Sequence, residues 1–85
     1  MAIRQIEKNQ TSELIKLAKK RGDIPNDWIK LEYQKDADLL FILYSKEICV
    51  RSKGDMENGI IYNFDDRDRL VSIEVLDIYE VFSTV

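Results

Sequence analysis

The sequence predicts an α+β fold, with an N-terminal helix packed on a four- or five-stranded antiparallel β-meander. Three observations carry that expectation. Residues 59–76 read as two β-rich runs around an acidic turn. Residues 11–22 read as a short amphipathic helix ending in basic residues and a glycine. Leu39 to Tyr44 is an unbroken apolar run, too short to span a bilayer and apolar on both faces of a strand. The 85 residues suffice for one small domain, residues 1–85.

The helix is expected over about residues 11–21. Thr11 or Ser12 can cap it, and Glu13 suits the positive end of its dipole. Its start is open towards Ile3 and Ile6, which extend the spacing. Leu14, Leu17 and Ala18 form a narrow apolar stripe, with Ile15 beside it. Lys19, Lys20 and Arg21 complement the negative end as solvated charges, and Gly22 offers a left-handed stop. Pro25 restricts Ile24 and prevents continuation.

The sheet is expected over about residues 28–76. Trp28 to Tyr33 alternates apolar and charged residues, as a half-buried strand does, and residues 34–38 form a turn. Leu39 to Tyr44 follows as a central strand needing cover on both sides. Ile48 to Arg51 reads as a short strand in which Cys49 is a small buried hydrophobe. Lys53 to Asp55 and Asn58-Gly59 are turn signals. In the last hairpin Ile60, Tyr62 and Phe64 share one face, as do Val71, Ile73 and Val75. The turn between them holds Asp65, Asp66 and Asp68 without glycine, which favours a longer loop on type I geometry. Asp77 can cap a C-terminal turn or short helix over 77–82, although a further strand there is also open.

Several function classes fall away on composition. The chain has no histidine, which removes Ser-His-Asp and Cys-His catalysis and most zinc sites. One cysteine excludes an intramolecular disulfide and a four-cysteine zinc site. The opening residues do not read as a signal peptide, so a soluble cytoplasmic protein without membrane association is expected. Through Lys35 there are eight basic and five acidic residues, net +3; the remainder has five basic and eleven acidic, net −6. An acidic sheet under a mildly basic helix does not favour nucleic acid.

The two hairpins resemble a small prokaryotic family of uncharacterised proteins, domain-of-unknown-function family twenty-two eighty-three. Its Tyr-Asp-x-x-x-Asp-x-Leu-Tyr-Ile segment is met here by Tyr33, Asp38, Leu40, Phe41 and Ile42. A Gly-Val/Ile-Ile turn segment followed by Leu-Val-Gly-Ile-Glu-Ile/Val-Leu is met by Gly59, Ile60, Ile61 and Asp65, then by Leu70, Val71, Ile73, Glu74, Val75 and Leu76. Gln34 stands where Asp is usual, and Asp68 and Ser72 stand where Gly is common. The resemblance covers roughly Leu31 to Asp77. It implies the fold and, through members encoded beside small toxin-like proteins, an antitoxin-type partner role.

The residues themselves point to a non-catalytic interaction module rather than an enzyme, with no cofactor and no metal. Leu39, Phe41, Leu43 and Tyr44 are the candidate interface, with Phe41 in the core or in a homodimer contact. A separate protein partner is compatible with the same surface. The alternative is a small-molecule or metal-ion binding domain using the acidic loops. Its candidate residues are Asp36, Asp38 and Glu74, with Glu74 facing Tyr33 or Tyr44 if the first and last strands are neighbours. The Asp65 turn fails as a calcium loop, because Val71 and Asp77 stand where Gly and Glu are required.

Overall fold

The structure, a computed structural model, describes residues 8–79. Helix α1 (Lys8–Arg21) precedes strands β1 (Lys30–Gln34), β2 (Leu39–Leu43), β3 (Arg51–Asp55), β4 (Ile60–Phe64) and β5 (Leu70–Val75). All neighbouring strands are antiparallel, in the order β1-β2-β5-β4-β3. The α+β architecture is the expected one. The order departs from a plain meander, because residues 44–50 carry the chain from β2 to the far edge. The crossing starts on β5, where the Tyr44 and Ser45 amides both donate to the Val71 carbonyl.

Hydrophobic demand explains that order. Apolar β2 takes an inner position, whereas β3, Arg-Ser-Lys-Gly-Asp, is almost wholly exposed and suits an edge. The β4–β5 hairpin forms as expected, with a register irregularity between Asn63 and Phe64. Asp68 in its turn holds φ 60°, the left-handed conformation that glycine adopts without strain.

Several local expectations are corrected. Helix α1 includes Lys8, so Thr11 and Ser12 lie inside it rather than capping it. Gly22 has no left-handed φ; it is small because it must be. A Cβ there would sit 2.6 Å from Ile60 Cδ1 and 2.8 Å from Tyr62 Oη. The first strand starts at Lys30, leaving Trp28 half-buried before it. The third strand starts at Arg51, and Cys49 is exposed on the crossing segment rather than buried. Asp77 holds φ 49° within the turn over 76–79, whereas a residue capping a helix N-terminus takes extended dihedrals. Residues 80–82 of the expected C-terminal element lie outside the described residues.

The core lies between α1 and one face of the sheet. Leu14 and Ala18 meet Leu40 and Ile42 of β2, Ile60 of β4 and Ile73 and Val75 of β5, with Ile24 and Ile78 closing the ends. Phe41 is not in this core: β2 alternates, with Leu40 and Ile42 buried and Leu39, Phe41 and Leu43 half-buried on the other side. Ile42→Ala should therefore cost about 2–5 kcal/mol, a large part of the stability of a small domain, while Phe41→Ser should leave a cooperative thermal transition close to wild type. Gly22→Ala should lower the melting temperature, although alanine ordinarily favours helix, because the added methyl meets Ile60; an unchanged or raised melt would show that α1 sits further from β4.

Candidate functional site

Sheet geometry sorts the side chains into two faces, since directly paired residues share a face. Leu31 and Tyr33 lie with Leu40 and Ile42, then with Val75 and Ile73, then with Ile60 and Tyr62, all on the side of α1. The opposite, open face carries two cross-strand rows from β1 to β3. One runs Lys30, Leu43, Ser72, Asn63, Ser52; the next runs Glu32, Phe41, Glu74, Ile61, Gly54. Three of the four expected interface residues, Leu39, Phe41 and Leu43, stand on this face. Tyr44 does not. It packs towards the core, and its hydroxyl donates to the Pro25 carbonyl at 2.8 Å.

A polar ladder crosses the open face. Ser52 Oγ donates to Asn63 Oδ1 at 2.6 Å, and Asn63 Nδ2 donates to Ser72 Oγ at 3.0 Å and Glu74 Oε2 at 3.1 Å. Asn63 and Ser72 are only 6% and 4% exposed. Such burial is tolerable because the polar atoms are paired. Sequence reasoning missed Asn63 and Ser52, since neither sits in a recognisable motif. Glu74 belongs to this ladder. It does not face Tyr33 or Tyr44: β1 neighbours β2, not β5, and both tyrosines lie on the helix side.

One apolar residue extends the open face beyond the rows. Val50 N–H donates to the Phe64 carbonyl, although Phe64 already pairs with Arg51, so the ladder is irregular where β3 begins. A Cβ on Gly54 would touch Met56 Sδ and Cγ, so Met56 lies on the open face. Met56 is 70% exposed.

Asp38 is placed elsewhere and does structural work. At φ 51° it turns the chain from β1 to β2. Its carboxylate accepts the Tyr33 hydroxyl at 2.8 Å and the Tyr79 N–H at 3.3 Å, and its carbonyl accepts the Ile78 N–H at 3.1 Å. Tyr33 and Tyr79 meet edge to face at 5.5 Å. Burial first, and then the bond to Asp38, raise the Tyr33 hydroxyl above its ordinary pKa. Arg21 is a buried clamp rather than a solvated end charge: its guanidinium donates to the Leu76 and Asp77 carbonyls. Asp38 and Glu74 thus sit on opposite sides of the sheet system and form no joint carboxylate site. Asp36 is an exposed turn residue.

The family model of the protein family of unknown function DUF2283 matches residues 30–78, more than half of the chain. The chain belongs to this family. Searches of curated proteins and of solved structures gave no match. The matched DUF2283 region spans all five strands and both rows of the open face, and leaves α1 outside.

The acidic turn of this DUF2283 chain is used internally. Asp65 is 3% exposed; its Oδ1 accepts the Arg67 and Arg69 amides at 2.8 and 2.9 Å, and its Oδ2 accepts Arg69 Nε at 3.0 Å. Asp68 pairs with Arg51, whose guanidinium lies 4.7 Å from the Phe64 ring centre. Among the described residues, no group of three or more His, Cys, Asp or Glu side chains is placed to hold a metal ion, and no helix is long and apolar enough to cross a membrane. The Arg69 amide first, with the Arg67 amide and the Arg69 side chain, holds the Asp65 carboxyl below its ordinary range, against the opposing effect of burial. The folded-state pKa lies below the unfolded one. The stabilisation is therefore fully present above about pH 4 and is lost as pH falls through the folded value. Asp65→Asn should lower the melting temperature at neutral pH and flatten its decline on acidification; an acid limb as steep as wild type would show that other carboxylates set it.

Proposed function

We propose that this protein is a non-catalytic interaction module that binds other polypeptides through the open face of its sheet. The observation that supports this reading is the placement of Leu39, Phe41, Leu43 and Ile61 on the side opposite α1. A small domain gains most by burying apolar residues in its own core. Here four stand outside it, around a polar ladder whose partners are already bonded. Aromatic and aliphatic anchors around a few fixed polar groups are the chemistry of a binding surface. Self-association is the first form we assign to it, and a regulatory or antitoxin-like role towards another protein follows only from the family resemblance. The ligand-binding alternative has weaker support, because Asp65, Asp68 and Asp38 spend their carboxylates on internal bonds.

The test is capture from the native cell with tagged chains, read by mass spectrometry. Wild type and a helix-surface control, Lys16→Asp, should retain the same polypeptides, the chain itself included. Phe41→Asp with Ile61→Asp should lose them while keeping a native far-ultraviolet circular dichroism spectrum. Capture that survives the double change would place the binding surface elsewhere.

A further inference from the structure

We propose that the open face receives a second copy of this chain, related by a two-fold axis that runs across the strands between the two rows. This rests on the open face being the binding surface. Face-to-face packing of identical sheets requires an axis in the plane between them. An axis across the strands sets each residue of one row over its strand neighbour in the other row of the partner. Lys30 then meets the partner's Glu32, and Leu43 meets the partner's Phe41. Each contact occurs twice. Aligned sheets keep their strand directions within about 30°, which is compatible with this overlay.

The polar centre matches as well. Ser72 Oγ accepts the Asn63 amide and still carries an O–H. Opposite it stands the partner's Glu74, a carboxylate with acceptor capacity beyond its bond to Asn63. Asn63, already bonded to Ser52, Ser72 and Glu74, lies under the partner's Ile61 without losing a partner of its own. At the β3 edge Ser52 lies over the partner's Gly54, beside which the Met56 side chain packs on the open face. An axis along β5 gives none of this: it would stack Glu74 on the partner's Glu74 and leave Lys30 without an acid.

Size sets the strength. Five strands about 4.8 Å apart and about 17 Å long give a footprint of roughly 400 Å² per copy. Standard interfaces bury about 800 Å² per partner, so this contact is at the small end, the range of weak and transient association. In such a contact the edge charges select register more than they add affinity.

Charge exchange followed by sedimentation velocity across the micromolar range tests the arrangement. Wild type should dimerise. Lys30→Glu and Glu32→Lys should each weaken the dimer by about tenfold or more, since two exposed attractions become repulsions. An equal mixture of the two variants should recover wild-type affinity, because the mixed dimer again sets opposite charges together at both positions. A dimer indifferent to either exchange, or a mixture that stays as weak as its components, would overturn the proposed axis. Phe41→Asp separates the two levels. Loss of the dimer in Phe41→Asp without a charge-exchange response keeps the open face and discards the axis; a dimer that survives Phe41→Asp discards the face. A wild type that stays monomeric overturns the second copy as occupant, while the capture experiment still reports on the face. Zero-length carbodiimide coupling of mixed isotope-labelled and unlabelled wild-type chains needs no substitution. It should give a mixed-isotope Lys30–Glu32 linkage, and its absence from a proven dimer would overturn the proposal.

Discussion

The strand Leu39–Leu43 is apolar on both faces, and a single 14-residue helix can cover only one of them. Much of the described structure follows from that constraint. The strand cannot stand at an edge, where its backbone and one flank would be open to water, so it pairs on both sides with β1 and β5. Placing β5 beside it forces residues 44–50 to cross the sheet end and leaves the polar strand β3 for the far edge. Leu40 and Ile42 take the helix side, and Leu39, Phe41 and Leu43 are left on the other.

Closure of the helix layer depends on groups far apart in sequence. Arg21, at the end of α1, reaches the carbonyls of Leu76 and Asp77 beyond β5. Asp38, in the β1–β2 turn, accepts from Tyr33 and from the Tyr79 amide. A charged donor and a charged acceptor thus bind backbone groups that would otherwise be buried at strand and turn ends, where leaving them unpaired costs about 1–3 kcal/mol each. That is why an arginine can sit so deep in so small a domain.

The open face combines two properties that rarely serve a core. Its apolar side chains are only half-buried, and its polar ones are ordered by bonds to each other. A mixed face of this kind gives register as well as burial, since polar groups accept only a few alignments. DUF2283 membership covers this sheet and says nothing of its partner.

The local pattern of the sequence determined the element types: helix from the Leu14, Leu17 and Ala18 spacing, hairpin from the β-branched runs around the Asp65 turn, and two apolar faces on residues 39–44. These are short-range effects of backbone sterics and side-chain period, legible without the rest of the chain. The candidate interface was partly legible for the same reason, since Leu39, Phe41 and Leu43 share the phase opposite Leu40 and Ile42. What only tertiary structure decided was neighbourhood. Strand order put Glu74 beside Asn63 rather than Tyr33, close packing made Gly22 a space requirement rather than a stop, and long-range hydrogen bonds turned Arg21 from a solvated end charge, and Asp38 from a candidate ligand carboxylate, into structural anchors. Pairing between residues 41 to 56 positions apart, as in the Asp38–Tyr79 and Arg21–Asp77 bonds, leaves no periodic trace in the sequence, because it depends on the whole sheet having formed.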